Sequence, residues 1–222
     1  MNRAYFLTGT DTEIGKTFVT CALLHRARQL GLKAAGLKPV AAGTDATGRN
    51  DDVENIRAAS NVALPLEIIN PYCFTPAIAP HLAAAEAGVA IDFARIAAAC
   101  VSARQQSDLL IVEGVGGFRV PLGVDRDSAD LAVSINLPLI LVVGLRLGCI
   151  NHALLTAEAI AARGLVLAGW VANRIDPEMA RPDDNITALR ERIAAPLLGN
   201  VPRITGSNPS DAASFIELPS GD

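Results

Sequence analysis

Between residues 9 and 17 the chain reads Gly-Thr-Asp-Thr-Glu-Ile-Gly-Lys-Thr. Glycines that free the backbone, followed by a lysine and a hydroxyl residue, are the parts needed to cradle a polyphosphate. In that chemistry Lys16 reaches the outer phosphates and the Thr17 hydroxyl holds Mg²⁺. The spacing departs from the usual G-x-x-x-x-G-K-[ST] pattern, because five residues separate Gly9 from Gly15. The loop also carries Asp11 and Glu13, two acids that a bound phosphate would repel.

Three further places carry charge that such a site would use. Gly36-Leu37-Lys38-Pro39 puts Lys38 at the end of an apolar run. There it either steadies charge on a transferring phosphoryl group or a substrate anion, or is a solvated lysine before a loop-forming proline. In Arg49-Asn50-Asp51-Asp52, Asp51 suits a helix N-cap and Asp52 is placed to look inward at Mg²⁺. The run Asp108-Leu-Leu-Ile-Val-Glu113 ends in a carboxylate and is followed by Gly114-Val115-Gly116-Gly117. An apolar strand ending in an acid is the expected metal-holding partner of a phosphate loop, and the glycines let backbone approach a terminal phosphate.

The elements that must position these residues alternate. Strands are predicted at 4–8, 34–38, 109–113, 139–145, 167–172 and 197–201, and helices at 16–30, 52–59, 92–106, 151–163 and 184–193. The strands are continuous apolar runs, as in a parallel sheet covered by helices on both faces. The expected fold is therefore α/β, a three-layer P-loop NTPase fold with a mostly parallel central sheet. Ligands in such sheets sit beyond the carboxyl ends of the strands. Gly144-Leu-Arg-Leu-Gly148-Cys149-Ile150-Asn151-His152 offers a second free helix start, suited to a carboxylate. His152 reads as exposed or capping, and Trp170 as core. Asn173, ending another strand, either reads the edge of adenine or sits in a turn. No linker or repeat interrupts the 222 residues, which read as one domain, with a Ser/Asn/Pro/Gly-rich tail from Gly206 expected to be partly mobile.

Composition excludes several classes. Half the residues are hydrophobic, the net charge is −4 and the pI is about 5.4, so no basic surface for nucleic acid is expected. The cluster His25-Arg26-Ala27-Arg28 reads as a solvated face. No apolar stretch approaches the ~20 residues of a membrane span, and because the N-terminus runs directly into a predicted strand no signal segment is expected. Cys21, Cys73, Cys100 and Cys149 lack C-x-x-C spacing, and three of them lie in apolar surroundings, which suits reduced thiols in a cytoplasm.

Taken together, these motifs resemble the dethiobiotin synthetase family. The resemblance spans nearly the whole chain and rests on residues 9–17, Lys38-Pro-Val-Ala-Ala-Gly43, Asn70-Pro-Tyr72, Ala79-Pro-His-Leu82, Val112-Glu-Gly-Val-Gly-Gly117, Leu147-Gly-Cys-Ile-Asn-His152, Gly169-Trp-Val-Ala-Asn173 and Pro196-Leu-Leu-Gly199. The extra loop residue and Glu13 are typical of that family. The implied reaction closes a ureido ring on 7,8-diaminopelargonic acid with CO₂ and ATP, a step of biotin synthesis. It implies that Lys16 and Lys38 stabilise the phosphoryl group and the carbamate, and that Thr17, Asp52 and Glu113 hold Mg²⁺. Glu13, Ile14, Gly15, Phe18, Gly114, Val115 and Gly116 would wrap the nucleotide. Asn173, Arg174, Pro202, Arg203 and Ile204 would bind adenine. Lys38, Ala42, Gly148, Cys149, Ile150 and Asn151 would meet the substrate, whose carboxylate lies near a homodimer boundary.

The implied chemistry needs positioning and charge neutralisation more than a general base. Position 42 holds Ala where the family usually has a hydroxyl residue, with Thr44 close by as a stand-in. Glu13 is expected near the diamine. Two rivals have other signatures. Amidotransferases of the same superfamily carry a glutaminase domain, for which no room is expected after residue 204. Partitioning-type switch ATPases carry a second lysine early in the loop, and positions 10–14 hold none.

Overall fold

Residues 3–204 and 208–220 are described by a computed structural model of the chain. β1 (Arg3–Gly9) leads through the glycine loop into α1 (Lys16–Gln29). Then follow β2 (Ala34–Leu37), β3 (Val40–Ala42), α2 (Asp51–Ala59), α3 (Leu66–Ile69), β4 (Tyr72–Phe74), α4 (Pro80–Glu86) and α5 (Phe93–Gln106). The second half holds β5 (Leu109–Glu113), α6 (Ser128–Ile135), β6 (Leu139–Gly144), α7 (Cys149–Ala162), β7 (Leu167–Asn173), α8 (Pro182–Arg190), β8 (Leu197–Val201) and α9 (Pro209–Ala212).

Six strands form one parallel sheet in the order β2-β5-β1-β6-β7-β8. Successive side chains of a strand point to opposite faces, and here both faces are covered. Ala4 and Phe6 of β1, with Leu110 and Val112 of β5, pack beneath Phe93, Ile96 and Ala103 of α5. Tyr5, Leu7, Leu109 and Ile111 face the opposite way, against Val19, Leu23 and Ala27 of α1 and Ile56 of α2. This double burial is why the strands read as unbroken apolar runs, each large side chain contributing about 1.5–3 kcal/mol. The sheet is the one expected from the strand pattern. β1 lies at its centre, where the chain first turns toward β2 and later crosses to β6, so the ends of β1, β5 and β6 frame a switch-point crevice.

Several elements differ from the sequence reading. β3 and β4 form a separate parallel pair, Val40 to Ala42 alongside Tyr72 to Phe74. Runs of three residues are too short to show a period. Helices α3, α4 and α6 were also unpredicted, although Asp127 and Asp130 form a reciprocal capping box at the start of α6. α8 begins at Pro182, two residues before the expected Asp184, with proline in its first turn. Asn50, not Asp51, caps α2, its side chain accepting from Val53 N.

Residues 205–207 lie outside the described part, but α9 packs on α1, and Ile216 bridges to Gly199. Arg26, expected to be solvated, forms an ion pair with Glu217 of the C-terminal tail at 3.0 Å. Among the described residues, no helix is long and apolar enough to cross a membrane.

Candidate functional site

The loop from Gly9 to Lys16 is tightly wound. Glu13 and Gly15 adopt left-handed backbone conformations, φ 58° and 81°. Among the described residues α1 has no side-chain cap, and its first turn carries no acid, which leaves its first N–H groups free for an anion. Beneath the loop, buried Asn173 at the end of β7 donates from Nδ2 to Ile14 O at 2.9 Å. The amide expected to read adenine is thus bonded to the loop backbone. Ile14 itself is buried in the α1-side core, against which Phe18 also packs.

Glu113, fully buried at the end of β5, gathers the charged centre. Its Oε1 accepts from Thr17 Oγ1 at 2.7 Å and from Lys38 Nζ at 2.5 Å, and its Oε2 accepts from Thr20 Oγ1 at 2.6 Å. Lys38 also pairs with Asp52 Oδ2 at 3.1 Å. It is almost fully buried, which decides against the solvated reading. The second glycine run crosses close by. Gly114 N donates to Leu7 O at 2.8 Å, and Gly116, at φ 60°, leaves no space for a Cβ, which would meet Val120 Cγ2 at 2.8 Å.

A cleft of about 730 Å³ opens over these groups. Glu13, Gly15, Lys16, Thr17, Lys38 and Asp52 line its polar side, and Ala42, Val115 and Gly116 also reach it. An apolar wall is added by Ala41, Ala77, Ile78, Ala79 and Pro80, from segments whose place sequence reading could not give. Arg174 and Arg203 instead line a separate 120 Å³ cavity beside Leu145, Pro177 and Met179. Pro202 lies in the same segment as Arg203, and Ile204 packs on the α1-side core. Gly148 starts α7 in a left-handed conformation without a side-chain cap, but Gly148, Cys149, Ile150 and Asn151 do not line the main cleft. Thr44, the stand-in considered for the hydroxyl missing at Ala42, follows a turn at Gly43 (φ 90°) and its N bonds Thr75 O, and among the described residues its hydroxyl is buried without a hydrogen-bond partner.

Set beside known proteins, the chain has a close relative. A family profile described as AAA domain matches residues 3–211. ATP-dependent dethiobiotin synthetase BioD of Aromatoleum aromaticum is 62% identical over 220 residues, covering 98% of either chain. The chain belongs to the dethiobiotin synthetase family. Solved structures carry the same fold at low identity. The septum site-determining protein MinD complexed with Mg-ADP from Pyrococcus horikoshii superposes with a TM-score of 0.57 at 16% identity, over 92% of this chain and 82% of that one. The MinC:MinD cell division complex of Aquifex aeolicus gives 0.59 at 12%, over 96% and 91%. These likenesses concern the P-loop NTPase-like sheet alone.

In this member of the dethiobiotin synthetase family the two lysines titrate in opposite directions. Burial, then repulsion by Lys38, lowers Lys16 to about 8 despite the carboxylates nearby. Burial also opposes the charge on Lys38, but the adjacent Glu113 and Asp52 outweigh it and raise its pKa. Asp52 is likewise opposed by burial, and the Lys38 charge with the Thr17 hydrogen bond holds it below the usual range. Burial first, then Glu113 and Asp52, pushes the Cys21 thiol up to about 12, so it is no nucleophile.

A pH prediction follows from Lys16. An anion binds the protonated lysine, so below pH 8 its affinity is flat. Above about 8 the free protein loses that proton, and ATP affinity is expected to fall roughly tenfold per pH unit. Titrations from pH 7 to 9.5 check this, and a flat profile in the wild type would overturn it. Lys16→Arg, which keeps its charge, should flatten the profile.

Thr20 and Arg146 were missed by sequence reading. Thr20 stands three residues after Thr17, on the same side of α1, a spacing that could have marked it. Arg146 pairs with Asp11 across the loop, which no local pattern announces.

Proposed function

We propose that the chain is an ATP-dependent ligase that carboxylates 7,8-diaminopelargonic acid with CO₂ and closes the ureido ring to give dethiobiotin, ADP and phosphate. One observation carries the reading: Lys16, Lys38, Thr17 and Asp52 meet in a single cleft whose other wall is apolar. That combination suits a polyphosphate beside an alkyl diamine, and the 62% identical relative supports this substrate.

In the proposed sequence an amine of the substrate takes up CO₂ and loses a proton, giving a carbamate. A carbamate oxygen attacks the γ-phosphorus, and ADP leaves with the electrons of the broken P–O bond. The second amine then attacks the carbonyl carbon, expelling phosphate and a proton as the ring closes. The protein's part is orientation and charge neutralisation. Lys16 and the free N–H groups of α1 hold the outer phosphates, and Lys38 faces the transferred group and the carbamate. Glu13 stands at the rim of the same cleft, where it can attract a cationic amine. Asn173, Arg174 and the 202–204 segment take adenine, and the α7 start takes the substrate carboxylate.

Thr17, Asp52 and Glu113 fit Mg²⁺. They present only hard oxygen donors, with Thr17 Oγ1 2.7 Å from Glu113 Oε1 and Lys38 joining Glu113 to Asp52. Among the described residues no group of three His, Cys, Asp or Glu side chains could hold a metal unaided. A site completed by waters and phosphate oxygens is the usual habit of Mg²⁺. When bound, the ion neutralises charge on the phosphates. The reading further takes the chain as one cytoplasmic domain that works as a homodimer, with the substrate carboxylate near the boundary.

A steady-state assay tests the function. Phosphate release is expected only when the diamine, bicarbonate and Mg-ATP are all present. ATP turnover indifferent to diamine and bicarbonate would sink the reading in favour of a switch ATPase.

A further inference from the structure

Asp11 poses a physical problem, since an acid in a phosphate-binding loop repels its own ligand. In the structure both of its carboxylate oxygens are engaged. Oδ2 accepts from Arg146 Nη2 at 2.5 Å, and Oδ1 accepts from Thr12 N at 2.8 Å. Its main-chain carbonyl accepts from Lys16 Nζ at 2.7 Å. Arg146 stands in the short connection between β6 and α7, and its main-chain carbonyl accepts from Cys149 N at 3.0 Å. One ion pair therefore ties the loop that carries Lys16 to the start of α7.

We propose that Arg146 is a positioning residue for the phosphate-binding loop, cancelling the Asp11 charge and fixing the carboxylate away from the triphosphate. The inference rests on the reading of residues 9–17 as the ATP site. Both side chains are about two-fifths exposed, 40% and 44%. A pair this exposed adds little to folding stability. Its larger effect falls on ligand binding, because a tetra-anionic nucleotide meets either a neutral pair or a bare carboxylate. The same geometry gives the loop a second anchor besides the Asn173 bond to Ile14.

A charge-rescue series tests the proposal, with KM for ATP, KM for the diamine and kcat measured at low and high salt. Arg146→Ala should raise KM for ATP about tenfold at low salt, with less effect at high salt and little change in melting temperature. Adding Asp11→Asn to Arg146→Ala should recover most of that loss, since the amide keeps the Thr12 acceptor and removes the charge. A double variant as weak as Arg146→Ala alone would show that lost packing is responsible, and would overturn the proposal. So would an Arg146→Ala variant whose only change is a higher KM for the diamine. Lys16→Met serves as the control for the underlying reading. If it leaves ATP binding intact, the loop assignment fails and the proposal with it. If Lys16→Met is impaired and Arg146→Ala is not, only the proposal fails.

Discussion

Replacing Lys38 with methionine is expected to lower kcat by about 10³-fold and to destabilise the ligand-free protein by about 3 kcal/mol. The first figure is the usual cost of removing one preorganised charge from a developing anion. The second is the lower end of the cost of breaking a buried ion pair, here because Thr17 and Thr20 continue to donate to Glu113. The pair is buried on both sides, so solvent screening removes little of it. The two effects can be separated. In Lys38→Met with Glu113→Gln, no bare carboxylate remains on β5, and much of the lost stability should return while turnover does not. Thermal melts and single-turnover phosphate release give the two readouts. A Lys38→Met enzyme with wild-type turnover would remove Lys38 from the chemistry.

Gly15→Ala should abolish ATP binding at accessible concentrations. Two costs combine at this position. Its backbone sits at φ 81°, where an L side chain is strained by about 1–2 kcal/mol. An added Cβ would also lie 2.3 Å from Asn173 Nδ2, a clash that only movement of the loop or of Asn173 relieves. Either movement breaks the Asn173 bond to Ile14 O and shifts the first N–H groups of α1, which form the proposed phosphate cradle. Adding Asn173→Ala to Gly15→Ala removes the clash but not the φ strain. The double variant should therefore regain part of the lost stability. Denaturant unfolding and nucleotide titration check both statements. Wild-type ATP affinity in Gly15→Ala would show that the loop does not need its observed shape.

Local patterns carried much of the fold and the outline of the cleft. The apolar runs of β1, β5 and β6 were legible because double burial leaves no polar alternation to confuse them. The glycine loop and the acid at Glu113 were legible because each sits at a fixed offset from a strand end. The short pair β3 and β4 was not, since three residues carry no period and their pairing joins segments far apart in the chain.

By itself, then, the sequence determined the six strands of the main sheet and five of the helices, the phosphate-type loop and the family, all of which depend on neighbouring residues or on motif order. Tertiary structure alone decided what the charged residues do to one another. Lys38 meets Glu113 across 75 residues, Arg146 meets Asp11 across 135, and Asn173 meets the loop across 159. Such contacts depend on which strand ends the parallel sheet places side by side, and no local spacing encodes that. The acids of the glycine loop illustrate the difference. From the sequence Asp11 is a charge in the wrong place, whereas in the folded chain it has a partner.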